Sequence, residues 1–161
     1  TWHVAEWDNP RRGDIVVFFS PHDGQRLVKR VIGLPGDKVE MRAGQLWLNG
    51  KAVESTDFTT SFTKVGSHEI VTVQSVEALP QHPHRVQAIP AASAMRDFDP
   101  ITVPADRYFT MGDNRDNSFD SRYFGTVDRK SIVGRATSVV LSFEPGRWLK
   151  ARGERWFSSL N

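Results

Sequence analysis

The chain has no cysteine. Disulfides, thiolate metal sites and cysteine nucleophiles are therefore excluded together, and an oxidising compartment suits such a chain. It has no run of about 18 apolar residues, so the sequence offers no membrane-spanning helix. No secretory signal is visible at its start, and there are no internal repeats or low-complexity segments. Charge of one sign is also scarce. Twenty-one Lys and Arg against nineteen Asp and Glu leave +2, too little to point to nucleic acid. What remains is 161 residues, 39% hydrophobic and 25% charged, which fits one compact globular unit. The chain opens on Thr1 rather than Met, which suggests a fragment or processed product. Trp2, Trp7, Trp148 and Trp156 lie toward the two ends. They suit a core edge, or a membrane interface where amphipathic rings are favoured.

The pattern is mostly β. Ile15 to Phe19 is a short apolar run and reads as a buried strand. Residues 20–24 read as a hairpin turn and Gln25 to Ile32 as the return strand. Lys38 to Arg42 reads as a strand, and Asn49-Gly50 between apolar flanks is a hairpin signal. From Glu54 to about Pro100 the pattern loosens. Within it, Ile70 to Val76 alternates as a half-solvated strand, and Ala88 to Arg96 reads as a short helix or a loop. Arg107 to Met111 reads as a strand, Val127 to Ser131 as a turn or short helix, and Ile132 to Phe143 as a strand.

The chemistry concentrates in residues 110–125. Asp113, Asp116 and Asp120 alternate there with Arg115 and Arg122, bracketed by Gly112 and Gly125. So many opposed charges in one stretch predict a buried polar network in which each charge has a partner. Far upstream, Lys29 lies inside the apolar run Leu27-Val28-Lys29-Arg30-Val31-Ile32. Strand alternation puts Lys29 on one face with Leu27 and Val31, and Arg30 on the other. An exposed lysine, with a pKa near ~10.4, is no base at neutral pH. Burial disfavours the ammonium form and makes the amine available for proton transfer. On the lysine alone, a packed stem with its head in water is the simpler reading.

Residues 110–125 and 27–37 resemble two signature boxes of the bacterial type I signal peptidases, which are membrane-anchored Ser/Lys proteases. Arg12-Gly13-Asp14-Ile15-Val16-Val17-Phe18 resembles a third. The likeness covers roughly residues 10–44 and 104–145. It implies a signal-peptidase-like β core, residues 1–44 and 104–146, with a β-rich cap of residues 45–103 inserted between core strands. Residues 147–161 follow as a basic, Trp-bearing segment suited to lipid headgroups. The resemblance also implies that Lys29 is the general base and that the Ser118 hydroxyl orients it. Asp120 and Arg122 form a supporting ion pair, and Gly112, Asp113, Asn114 and Arg115 serve as scaffold. Leu27 and Val28 help form apolar pockets for small side chains. The substrates implied are leader peptides of exported proteins, with small residues one and three positions before the cleavage point. No cofactor is expected. The place expected is the outer face of the bacterial cytoplasmic membrane, with an anchor that lies outside this chain.

One part of the family pattern is missing. The nucleophile box, Ser-Met-x-Pro, precedes the Arg-Gly-Asp segment in the family, and this chain holds no match to it. Ser20, followed by Pro21-His22, reads as a turn residue. The chain alone is therefore expected not to cleave. Two other readings stay open. One is a non-catalytic relative that binds leader peptides; the other is a different Ser/Lys protease with the same core, such as a self-cleaving repressor or a conjugation-system peptidase. Metal ligation by His68, His82 and His84, or by the Asp116-x-Ser118-x-Asp120 spacing, lacks supporting ligands in the sequence.

Overall fold

The structure, a computed structural model, describes residues 8–65 and 68–136, together with four short strands between residues 138 and 159 that are described as backbone only. Strands form where β-branched and aromatic residues cluster. β1 (Ile15–Phe19) and β2 (Arg26–Gly33) are the arms of a hairpin. Its turn is closed by Ser20 N–H donating to the Gln25 carbonyl at 2.7 Å. β3 (Lys38–Arg42), β4 (Gln45–Leu48) and β5 (Lys51–Ala52) follow as a meander. Asn49 and Gly50, at φ 52° and 77°, are both left-handed, as a tight two-residue hairpin turn requires.

Next come β6 (Ser55–Val65), β7 (His68–Glu77) and β8 (His84–Ala88), which form a three-stranded antiparallel sheet. β9 (Phe98–Thr102) returns to β3, and β10 (Arg107–Met111) enters the polar stretch. That stretch contains a 3₁₀ turn, Arg115–Asn117, and a single helical turn α1 (Ser121–Phe124). β11 (Val127–Asp128), a second 3₁₀ turn and β12 (Ile132–Ala136) follow. Beyond them, Ser138–Val139 pairs with Ser158–Ser159, and Phe143–Glu144 with Arg147–Ala151. Among the described residues no helix is long and apolar enough to cross a membrane.

The hairpins expected at residues 15–32 and 45–53 are present. One stretch departs from expectation. The loosened middle contains β6, an eleven-residue strand, and β8. Residues 89–96 form a loop, one of the two forms expected there, with a turn closed by Ala92 N–H on the Ile89 carbonyl. The strand expected from Ile132 to Phe143 runs as β12 to Ala136, and most of the remainder lies outside the described residues. The aromatic side chains of Trp2, Trp7, Trp148 and Trp156 also lie outside them.

Two sheets make the core. One is five-stranded, in the order β11-β10-β2-β1-β12, and the other is four-stranded, β5-β4-β3-β9. One buried cluster joins them, through Ile32, Val39, Met41, Leu46, Val103, Phe109 and Met111. A second cluster, with Val16, Phe18, Val31, Tyr108, Val127 and Ile132, packs on the opposite face of β2 and β10. Each such side chain contributes about 1.5–3 kcal/mol on burial. The second half of β2 is thus covered on both faces, while Arg26 to Lys29 are exposed or half-buried. The hydrogen-bond register agrees. β10 pairs with β2 only over Arg30–Gly33, whereas β1 pairs over Arg26–Arg30. Among the described residues, Arg26 to Lys29 therefore present a free strand edge on the β10 side.

Candidate active site

Lys29 stands where β2 passes from the doubly covered interior to the free edge. It lies opposite Val16 of β1, on the face of the second core cluster, as alternation predicts. Its side chain is half-buried, and its pKa lies below the ordinary lysine value. Loss of hydration is the largest cause; the Asp120 carboxylate opposes it, the Arg122 guanidinium adds to it, and Asp113 opposes it further.

β10 ends at Met111, and the next residue, Gly112, brings three groups together. A side chain there would overlap the hydroxymethyl group of Ser118, whose Cβ is 2.6 Å from where the new Cβ would lie. The same point is 3.6 Å from Lys29 Nζ. Ser118 follows the 3₁₀ turn in extended conformation, which turns its side chain back toward Gly112. Its Oγ is buried and has no hydrogen-bond partner in the described structure. A buried hydroxyl beside an amine is a group whose partner is close by.

Asp120 holds this arrangement from behind. It is fully buried, and one oxygen accepts the Gly112 N–H at 3.0 Å. Both oxygens accept from Arg122, at 2.8 Å each, in a bidentate pair. Asp120 also caps α1 by accepting the Arg122 N–H. Arg122 donates onward to the Met95 and Arg115 carbonyls, and Ser121 Oγ accepts the Thr110 N–H at 2.9 Å. The peptide from Ser118 to Arg122 is thereby fastened to the end of β10 at both Thr110 and Gly112.

The remaining scaffold residues lead outward. Asp113 accepts two hydrogen bonds from Arg30, at 3.0 and 2.8 Å, and Arg30 also donates to the Gly13 carbonyl. Arg115 is buried and bidentate with Glu77 of β7. Between these two pairs lies His84 of β8, its Nε2 3.7 Å from Glu77 and 3.8 Å from Asp113. Asn114 forms an isolated bridge with Gln87, and its Oδ1 is buried without a partner in the described structure. Asp116 is paired with Arg96 at 2.9 Å.

The sequence singled out Lys29, Ser118, Asp120, Arg122, Gly112, Asp113, Asn114 and Arg115, and the fold gathers all eight into this region. It did not single out Arg30, Glu77 or Arg96, and it weighed His84 only as a metal ligand. Arg30 had a usable signal: a second cation in the same apolar run, on the face opposite Lys29, needs its own carboxylate. Leu27 is half-buried against the second core cluster, and Val28 is 54% exposed on the other face. Ser20 lies in the β1–β2 turn, its hydroxyl accepting the His22 N–H. Among the described residues, no group of three or more His, Asp or Glu side chains could hold a metal ion.

Comparison with known proteins adds an independent line. Residues 2–141 match the family described as signal peptidase, peptidase S26. A signal peptidase I of Pseudomonas fluorescens is 36% identical, over 87% of this chain and 52% of its own length. Signal peptidase I S of Bacillus subtilis is also 36% identical, over 90% of this chain and 65% of its own. A probable signal peptidase I-2 of Synechocystis is 33% identical, over 80% of this chain and 47% of its own. The chain thus spans about half to two thirds of the length of these relatives. A solved signal peptidase I from Enterococcus faecalis is 33% identical and covers 81% of this chain and 98% of its own, with a TM-score of 0.49.

Proposed function

The chain belongs to the signal peptidase S26 family, and on that premise we propose that it is the base-bearing part of a serine endopeptidase that removes leader peptides from exported proteins. The observation that carries this reading is the approach of the half-buried Lys29 amine and the buried Ser118 hydroxyl to one point above Gly112. Lys29 is the general base. As a neutral amine it takes the proton of a serine hydroxyl as that oxygen attacks the scissile carbonyl. As an ammonium it returns the proton to the leaving amine, and an acyl-enzyme is left for water to hydrolyse. Ser118 orients the lysine in both states, because a hydroxyl accepts from an ammonium and donates to a neutral amine. Asp120 and Arg122 fix the Ser118 peptide against Gly112, and Asp113, Asn114 and Arg115 tie that loop to β2, β8 and β7 in turn.

The free edge from Arg26 to Lys29 suits an extended peptide added as a strand. In that pose Leu27 and Val28 flank the small residues one and three positions before the scissile bond. The attacking serine is not among the residues of this chain in the family's context, so the chain alone binds without cleaving. The same reading treats residues 45–103 as an insertion whose β4, β5 and β9 complete the second core sheet and whose β6–β8 sheet forms the cap, and residues 147–161 as a lipid-facing segment. The site then faces outward from the bacterial cytoplasmic membrane.

The test uses the native polypeptide isolated from its host's membranes. Its intact mass and its cleavage of a pre-protein with Ala before the cleavage point are measured, for the parent and for Lys29→Ala. A longer polypeptide that cleaves, and a Lys29→Ala form slower by more than about 10³-fold, support the reading. A native polypeptide that begins at Thr1 and binds leaders without cleaving them refutes the protease assignment.

A further inference from the structure

Ser118 turns inward, and its neighbour Phe119 turns outward with 44% of its surface exposed. The Phe119 ring stacks on Tyr123 at 5.6 Å, and meets Phe124 edge-on at 5.3 Å and His22 edge-on at 5.5 Å. Phe124 in turn meets Phe18, the cross-strand neighbour of Leu27. The Tyr123 hydroxyl accepts the Met95 N–H at 2.9 Å, which holds its ring in place. Neither Phe119 nor Tyr123 belongs to either core cluster. An ordered, exposed aromatic surface thus begins beside Ser118 and ends at His22, in the turn that starts β2.

The free edge leads to the same place. From Lys29 to Arg26 is roughly 10 Å at ~3.4 Å per residue, and the turn holding His22 comes next. A peptide paired to this edge in the parallel sense, with its scissile bond at Lys29, therefore brings its residues roughly five to seven positions upstream onto the aromatic cluster. Resting on the leader-peptide reading above, we propose that Phe119, Tyr123 and His22 form a subsite for apolar side chains of the leader at those positions. The cluster determines specificity and takes no part in the bond cleavage. It favours aliphatic or aromatic groups because their apolar surface leaves water against the rings, and it disfavours charged ones.

The experiment measures binding to this chain by calorimetry, with amide shifts mapped by NMR. Two synthetic peptides carry Ala one and three positions before the intended scissile bond, and either Leu or Ser at positions five to seven before it. We expect the Leu peptide to bind about tenfold more tightly. Phe119→Ala should remove most of that preference and leave the Ser peptide's affinity within about twofold. Val71→Ala, on the exposed surface of β7, should change neither. Both peptides should shift Val28 and Lys29, and the Leu peptide should also shift His22 and Phe119. A Leu preference that survives Phe119→Ala, with shifts at Val28 and Lys29 only, overturns the subsite but leaves the leader-peptide reading standing. No binding by either peptide overturns both.

Discussion

The hydroxymethyl group of Ser118 occupies the space in which a side chain on Gly112 would lie, with Lys29 Nζ 3.6 Å from the same point. Gly112 is therefore needed for room, since its backbone is not in the left-handed region that favours glycine. Gly112→Ala forces the Ser118 segment away from β10, against the hydrogen bonds that Asp120 and Ser121 make there. The expected cost is about 1–3 kcal/mol of stability, and the Lys29 amine should move closer to its ordinary pKa. Urea unfolding and NMR titration of Lys29 measure the two effects. An unchanged midpoint with an unchanged Lys29 titration would contradict the close approach.

Arg115 and Glu77 come from elements 38 residues apart and are both buried. A buried charge deprived of its partner is much more costly than a pair removed together. Glu77→Ala is expected to destabilise the chain by about 3–5 kcal/mol, whereas Glu77→Leu combined with Arg115→Met should cost clearly less. Denaturant unfolding of the single and double variants gives the comparison. Equal losses in both would mean that the ion pair itself, rather than the orphaned guanidinium, carries the stability.

The same pairs mark the limit of what the sequence made legible. The apolar run around Lys29, the Asn49-Gly50 turn and the crowding of charge in residues 113–122 are local patterns, and local patterns survive folding. Which carboxylate meets which cation is set by register between distant strands. Arg30 reaches Asp113 across 83 positions, and no local rule selects that partner. β6 was missed for a different reason. Its inward contact with β7 is made by the Ser61 and Thr72 hydroxyls, 2.7 Å apart, and its Phe58 and Phe62 are exposed. The usual apolar alternation is therefore reversed there. Neither β8, preceded by Pro80 and Pro83, nor its buried His84 has a periodic signature.

His84 gives the chain an acid-sensitive contact. Its Nδ1 is 3.1 Å from the His82 carbonyl, which places the proton on Nδ1 and leaves Nε2 bare. Burial is the main cause of its lowered pKa, Arg30 and Arg115 push the same way, and Glu77 and Asp113 oppose them. The unfolded chain therefore binds this proton more readily, starting near the ordinary histidine value of ~6.5. Stability contributed by neutral His84 should be full above that pH and decline as pH falls toward the folded-state pKa. His84→Gln should flatten that part of the profile. Urea midpoints for both proteins between about pH 7 and pH 5 test this, and parallel profiles would rule it out.

Lys29 sets the opposite end of the pH profile. Its ammonium is disfavoured chiefly by lost hydration, with Asp120 as the principal counterweight. The folded chain thus releases this proton at lower pH than the unfolded chain, whose lysine titrates near ~10.4. Between those two values the unfolded state holds more protons, so stability must rise with pH. Below the folded-state pKa the buried ammonium is a fixed penalty. Lys29→Met, which keeps the apolar stem and removes the charge, should therefore unfold at higher denaturant concentration than the parent at neutral pH. Its advantage should shrink as pH rises toward the ordinary lysine value. Asp120→Asn should act the other way on the parent lysine, lowering its pKa further because the main stabilising charge is gone. Lys29→Met less stable than the parent at neutral pH would show that the ammonium is well accommodated. The chain would then hold a structural lysine there, without a poised base.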